Sequence, residues 1–370
     1  MNVRTYFSSS LLFASSILLW LAIIMAFLYL PRFAALLHTT KSLNIFTFPR
    51  VVDAQKLAEF ERETGIKVYV NYYENNDELL VKMRQTGGGE YDLIFPSDFA
   101  VEQLINEGLL QRIDKSRSHV IKDIHPALLH KYYDPQNDYS IPYLWGLYGI
   151  GFDKKYFSSS THDNSLARLT QTLSKGWASI FDESLIFYRI GMVNNASEAI
   201  LLAALYLFGS IDNLDASKFE RIKQLLIKQK KWVYAYTDMG TDYLLLSGSC
   251  PLVAGLINDV LAARKIDQDL DVIIPQEGTF MVIDNIAIPH KTTKTDMVYA
   301  LIEFLYRPAI LKHHVDLFAH YPPMMQGVLA TEHEQAAFSL LTSLPRIEFF
   351  RNVIPEHTLQ DIWLALKAVA

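Results

Sequence analysis

The segment that decides the fold is residues 43–72, which read LNIFTFPRVVDAQKLAEFERETGIKVYVNY. Residues 43–48 alternate and contain β-branched and aromatic side chains, which is typical of a strand. Asp53 suits a helix N-cap and Gly65 suits a helix terminator, because glycine readily adopts the left-handed conformation that ends helices. Residues 66–72 again favour a strand. The segment therefore predicts a β-α-β unit.

The same alternation continues towards the C-terminus. We expect a helix at 77–84, a turn at Gly87-Gly88-Gly89, a strand at 93–96 and a helix at 101–108. A repeated β-α order implies a parallel sheet that is covered by helices on both faces. The first part of the chain is thus predicted to be an α/β unit.

A second run of α/β elements begins with a strand that we expect at 185–187. The further elements are helices at 197–208, 217–231 and 242–247, strands at 232–236, 251–257 and 273–275, and C-terminal helices at 295–306, 309–320 and 362–369. Two α/β runs predict two lobes. Ligands of such open sheets bind in the crevice at the carboxyl ends of the strands.

The N-terminal segment differs from the rest. Residues 11–30 are apolar apart from two serines. About 20 apolar residues span a bilayer, whereas the apolar part of a cleaved signal peptide has about 7–15. We expect residues 1–40 to be a signal-anchor segment with an uncleaved membrane helix at about 8–30. A cleaved signal peptide, which would release the protein, is the alternative.

Composition and motifs exclude several classes of function. The chain has 34 Lys and Arg residues against 40 Asp and Glu residues, a net charge of −6, so it lacks the basic balance of a nucleic-acid binder. Its single cysteine, Cys250, excludes a disulfide scaffold, and we expect a buried thiol. Motifs for nucleotide, zinc-protease and serine-hydrolase sites are absent. His313 and His314 are adjacent and point apart on a helix, so we predict no metal site. We expect a binding protein without cofactor, not an enzyme.

Several short stretches occur in a characteristic order: residues 63–68 (ETGIKV), 90–97 (EYDLIFPS), 134–146 (DPQNDYSIPYLWG) and 284–289 (DNIAIP). Together they resemble the spermidine/putrescine-binding proteins, the periplasmic receptors of bacterial polyamine ABC transporters. The resemblance covers roughly residues 43–370.

The resemblance implies a two-lobed type II periplasmic-binding-protein fold with two crossings, which we place near 145–152 and 282–286. Lobe 1 would comprise residues 41–147 and 284–328, and lobe 2 would comprise residues 148–283 and 329–370. Such lobes close over a ligand, and the closed form docks on a membrane permease with its ATPase. Ligand contacts that exist only in the closed form stabilise that form.

A polyamine site needs carboxylates for its ammonium groups and apolar or aromatic walls for its methylenes. The resemblance implies six ligand-binding residues: Phe48, Ser97, Phe99, Glu198, Asp284 and Tyr321. Asp98 could add an acid, although adjacent residues at a strand end usually point apart.

The chain also departs from the family pattern. Arg50 and Val51 stand where an acid and a tyrosine are usual, Asn195 replaces an aspartate, Ile257 and Val282 replace tryptophans, and Leu364 replaces a glutamine. The resemblance then leaves two acids and three rings, and Arg50 would repel a cation unless it points away. A diamine, an amine that bears a carboxylate, or another ligand becomes plausible.

Our leading hypothesis is a monomeric solute-binding protein of a polyamine-type ABC importer. We place it in the bacterial periplasm, anchored to the inner membrane by its N-terminal helix. The alternatives are a membrane-tethered sensor or scaffold of the same fold, and a receptor for a different small ligand because the amine box is eroded.

Overall fold

The computed structural model describes residues 20, 41–159, 173–237, 240–324, 338–341, 343–344 and 346–369. The strands of this part are β1 Ser42–Thr47, β2 Lys67–Tyr72, β3 Leu93–Phe95, β4 Ser140–Asp153, β5 Ile190–Val193, β6 Val233–Thr237, β7 Leu252–Leu256, β8 Leu270–Ile273, β9 Thr279–Ala287 and β10 Ile347–Phe349. The α-helices are α1 Ala54–Thr64, α2 Asn76–Thr86, α3 Asp98–Asn106, α4 Lys154–Ser159, α5 Ala178–Phe181, α6 Ala196–Phe208, α7 Ala216–Gln229, α8 Thr241–Leu246, α9 Ile257–Ala263, α10 Thr295–Leu305, α11 Pro308–Phe318 and α12 Glu356–Ala368. Strands and helices alternate, which confirms the predicted α/β class.

The first helix begins and ends as the sequence predicts. The Asp53 side chain accepts a hydrogen bond from the Gln55 N–H at 3.3 Å, and Gly65 closes α1 with φ of 71°. Gly87 ends α2 in the same way, with φ of 56°. These caps satisfy backbone groups that a helix cannot satisfy itself, so they define its ends locally.

The sheet is mixed. The parallel pairing predicted for the strands of residues 43–96 is confirmed, whereas the strands at the centre of the sheet are antiparallel. The strand order is β2-β1-β3-β9-β4-β7-β5-β6, with β10 on β9 and β8 on β4. β1 pairs with β2 and β3 in parallel, whereas β4 pairs antiparallel with β7, β8 and β9. The periodicity of a single strand carries no information about the direction of its neighbours, so only the structure shows this arrangement.

Two large apolar cores lie on the two ends of this sheet. The first core packs around β1, β3 and the start of β4, and the second packs around β5, β7 and α6. β4 contributes to both, with Trp145 in the first core and Ile150 in the second. β9 does the same through Ile283 and Phe280. These two antiparallel strands therefore connect the two cores.

Close backbone approach explains a glycine in β4. A Cβ at Gly149 would lie 2.6 Å from the carbonyl oxygen of Ile273 in β8, and no side-chain movement could relieve that contact. Glycine at this position therefore lets β8 pair against β4.

Several local predictions need correction. Residues 185–187 form a turn and loop rather than a strand, and the strand follows at β5. Phe187 is 40% exposed, and Ile186 packs at the edge of the second core. α9 was not predicted, and α12 begins at Glu356 rather than at 362.

Two further predictions concern Cys250 and the N-terminal segment. Cys250 is fully buried, as predicted. The predicted membrane helix at 8–30 lies outside the described residues apart from Trp20. Among the residues that the structure describes, no helix is long and apolar enough to cross a membrane.

Candidate functional site

The candidate site lies where the chain leaves β3 and meets β9. A single antiparallel backbone bridge joins Ser97 to Asp284. The Asn285 N–H donates to the carbonyl oxygen of Pro96 at 2.8 Å. These contacts bring the predicted residues Ser97, Phe99 and Asp284 into one region, although they are far apart in sequence.

Two carboxylates lie together in this region. Asp98 is 2% exposed, and its Oδ2 has no hydrogen-bond partner in the described part of the chain. Burial raises the pKa of Asp98 well above its usual range; the nearby N–H of Phe99 opposes this rise and the charge of Asp284 adds to it. Burial also raises the pKa of Asp284 to about 7. Near pH 7, Asp284 is therefore protonated in a substantial fraction of the molecules.

The third acid, Glu198, comes from the first turn of α6 on the second core. The Tyr148 hydroxyl, in β4, donates to Glu198 Oε2 at 2.7 Å. Burial raises the pKa of Tyr148 well above its usual range, and the charges of Glu198, Asp259 and Asp98 raise it further. Tyr148 thus connects acids that belong to the two ends of the sheet.

Asn195 has a structural role that explains its amide. Its side-chain oxygen accepts a hydrogen bond from the Glu198 N–H at 3.1 Å and caps α6. An asparagine provides this cap as well as an aspartate does. The cap fixes the helix start that presents Glu198.

The predicted aromatic residues have different surroundings. Phe48 is partly buried, with its ring centroid 5.7 Å from that of Tyr73. Phe99 is also partly buried and packs against a small apolar cluster beside β3. Tyr321 is 3% exposed and packs on Trp145 with the centroids 4.7 Å apart. Packing therefore accounts for most of the burial of the Tyr321 ring.

A cavity of about 620 Å³ opens at the end of β2, and none of the six predicted ligand-binding residues lines it. Its lining residues are Pro49, Tyr72, Tyr73, Glu74 and Glu78. Burial raises the pKa of Tyr73 well above its usual range, and the charge of Asp284 raises it further. The wall thus offers aromatic rings and carboxylates together.

Arg50 does not stand free in the cleft. Its Nη2 donates to Asp242 Oδ2 at 3.1 Å and its Nη1 donates to Asp259 Oδ1 at 3.0 Å. The sequence marked Arg50 as a departure but gave no sign of these partners. Aspartate in the first turn of a helix, as in α8 and α9, is ordinarily a favourable partner of the helix dipole.

The expectation that the resemblance leaves only two acids is incomplete. The structure adds Asp98, Asp242 and Asp259 to Glu198 and Asp284. For Asp98, the signal in the sequence was its place directly after β3, and its side-chain direction depended on α3, which begins at that residue. Among the described residues, no group of three or more His, Cys, Asp or Glu side chains could hold a metal ion.

Two α/β cores that are joined by paired strands, with polar side chains converging between them, define the class of solute-binding proteins. The chain belongs to the bacterial extracellular solute-binding protein family, whose model matches residues 55–339. It is therefore, as the sequence predicted, a binding protein and not an enzyme.

Individual relatives confirm the predicted resemblance. The chain is 29% identical over 282 residues to a spermidine/putrescine-binding periplasmic protein of Salmonella typhimurium, which covers 76% of this chain and 77% of that protein. It is 26% identical over 290 residues to a putrescine-binding periplasmic protein of Pseudomonas aeruginosa, which covers 75% and 77%. A solved spermidine/putrescine ABC transporter substrate-binding protein of Streptococcus pneumoniae has a TM-score of 0.73 at 21% identity and covers 89% of this chain and 99% of that one. The structural likeness confirms the periplasmic-binding-protein fold.

Proposed function

We propose that this protein captures a small cationic amine of the polyamine type and delivers it to an ABC permease with its ATPase. The observation that carries the proposal is the meeting of two acids at the end of β3, where a backbone bridge joins Ser97 to Asp284 and the adjacent Asp98 is 2% exposed. The names of the relatives in Salmonella typhimurium and Pseudomonas aeruginosa give the same ligand class.

The chemistry of the pair suits an ammonium group. Two neighbouring carboxylates withdrawn from water are unfavourable when both are ionised. An ammonium beside them provides the missing positive charge and hydrogen-bond donors, which favours ionisation at neutral pH. Binding should therefore release a proton from Asp284, whose pKa is about 7.

The remaining contacts follow from this placement. We assign Phe48 to the wall of the methylene chain, together with Tyr73, because the centroids of their rings are 5.7 Å apart. We assign Glu198 to a second ammonium from the opposite core. Ser97, Phe99 and Tyr321 complete the predicted set.

The two cores support a closing mechanism. We assign residues 41–147 and 284–328 to lobe 1, residues 148–283 and 329–370 to lobe 2, and the crossings to 145–152 and 282–286. A ligand held by Asp284 from one lobe and Glu198 from the other stabilises the closed form, because it loses half of these contacts when the lobes part. We further propose a monomer in the periplasm that is held at the inner membrane by a helix at about 8–30.

Calorimetry on the full-length protein tests the ligand class. We expect putrescine, spermidine or agmatine to bind, and Asp284→Ala to lose about 30-fold or more in affinity, since an unpaired buried charge costs several kcal/mol. The control is Asp296→Ala, at a side chain that is 93% exposed. Absence of binding by every amine, in a sample shown to be folded, would refute the amine assignment and favour a different ligand or a tethered sensor.

A further inference from the structure

Arg50 connects the two ends of the sheet through its guanidinium group. It follows β1, which packs in the first core. Its partner Asp242 lies on α8, whose Leu244 and Leu245 pack in a cluster on the second part of the sheet. Its partner Asp259 lies on α9, which contacts both parts. One side chain therefore reaches carboxylates from across the cleft.

The two acids form a cation site that is already filled. The side chains of Asp242 and Asp259 are 12% and 21% exposed, whereas that of Arg50 is 46% exposed. Asp242 Oδ1 has no hydrogen-bond partner in the described part of the chain. Two carboxylates so withdrawn from water need a positive charge nearby, and Arg50 supplies it.

The backbone of Arg50 is also unusual. Its φ is 65°, in the left-handed region that favours glycine. Such a conformation costs on the order of 1 kcal/mol for other residues and persists where the surroundings enforce it. The two ion pairs offset this cost. The left-handed backbone and the ion pairs together fix the direction of the Arg50 side chain.

This filled cation site lies near Glu198, one of the predicted amine ligands. Pro49, directly before Arg50, lines the 620 Å³ cavity. Asp259 is close enough to Tyr148 for its charge to raise the pKa of that phenol, and Tyr148 donates to Glu198. The acids thus form a series from Asp242 and Asp259 to Glu198, and Arg50 stands at one end.

We propose that Arg50 is a tethered cation that occupies one ammonium position of the cleft, so that the protein takes a linear diamine in preference to a triamine. This inference rests on the proposed function. A diamine needs only the acids that remain, Asp98 with Asp284 and Glu198. The third ammonium of a longer ligand would meet the guanidinium of Arg50 instead of a carboxylate.

The test compares putrescine and spermidine on three variants of the full-length protein. Arg50→Met removes the charge and keeps most of the length, and Arg50→Lys keeps the charge. The matched control is Arg264→Met, because Arg264 is 45% exposed and pairs with Asp271 at 3.0 Å outside the cleft. The readouts are the ratio of the two dissociation constants and the radius of gyration of the ligand-free protein by X-ray scattering.

We expect the wild type and Arg50→Lys to favour putrescine by about tenfold or more, a 1.4 kcal/mol difference. Arg50→Met should shift the ratio towards spermidine by at least about that factor, and it should be more open without ligand, while Arg264→Met changes neither. An unchanged ratio and radius in Arg50→Met would overturn the role of Arg50 even if amines bind.

Failure of the proposed function gives a different result. If no amine binds to the wild type or to Arg50→Met, the ligand class itself is wrong, and the ligand preference assigned to Arg50 falls with it. If only Arg50→Met binds amines, the diamine preference proposed for the wild type is overturned, because Arg50 then excludes every amine from the cleft.

Discussion

Replacing Asp284 by asparagine should stabilise the ligand-free protein at neutral and alkaline pH. Burial raises the pKa of Asp284 from 3.8 to about 7. Between these values the folded protein retains a proton that the unfolded chain has lost. The contribution of this group is therefore most favourable below about pH 4, declines as the pH rises, and is lost above about pH 7. Asparagine is neutral throughout and avoids this loss.

The size of the effect follows from the same two pKa values. Each tenfold change in an ionisation constant corresponds to 1.36 kcal/mol, so the full difference is about 4 kcal/mol. The Asp284 side chain is partly exposed, and solvent screens part of the cost. We therefore expect Asp284→Asn to gain about 2 kcal/mol over the wild type at about pH 8, and little at about pH 4.

Urea unfolding at several pH values between about 4 and 8 measures this difference. The control variant, Asp296→Asn, should show no pH-dependent change because its side chain is 93% exposed. Putrescine should stabilise the wild type and not Asp284→Asn, since linkage requires a ligand that binds the folded state. A gain that does not grow between about pH 4 and 7 would refute the desolvated carboxylate.

Two further predictions follow from the same structure. Amine affinity should fall by up to about tenfold for each pH unit below about 7, because Asp284 must ionise to bind a cation. Calorimetry in buffers of different ionisation enthalpy should detect the protons that are released on binding. An amine affinity that does not change with pH would contradict this prediction. Burial lowers the pKa of His314 to about 4, so stability should be lost as the pH falls from about 6.5 to about 4. Its Nε2 accepts from the Asp53 N–H at 3.0 Å and cannot be protonated without losing that bond. His314→Gln should show a shallower loss over this range in urea unfolding, and an equally steep profile would exclude His314 as the cause.

Local signals in the sequence were sufficient for much of the fold. Asp53 and Gly65 defined α1 because caps act within one turn, and the structure confirms both. The central strands were harder. Residues 140–152 of β4 are all buried, so the alternation that marks a half-exposed strand is absent. Its pairing with β9 joins residues more than a hundred positions apart, and no local pattern specifies that register or direction.

In the candidate site, too, local motifs identified some residues, and only tertiary packing identified the others. Ser97 and Asp284 could be named from their motifs, and the backbone bridge places them together. The partners of Arg50 could not be named, because Asp242 and Asp259 each look like an ordinary acid in the first turn of a helix. What distinguishes them is that tertiary packing brings them to one guanidinium, which a sequence does not display.

The number of acidic residues in the cleft does not by itself give the charge of the cleft, because burial changes how far each carboxyl group is ionised. Five carboxylates converge here against one guanidinium, yet they do not amount to a charge of −4. Burial raises the pKa of Asp98, of Asp284 and of Asp259, the last to about 6 even with Arg50 beside it. Asp284 therefore holds a proton near neutral pH that a bound amine would displace, and the net preference for a cation depends on pH. A chain that had lost acids relative to its relatives would show no such competition, so the linkage between amine and proton distinguishes a site that is rearranged from one that is eroded.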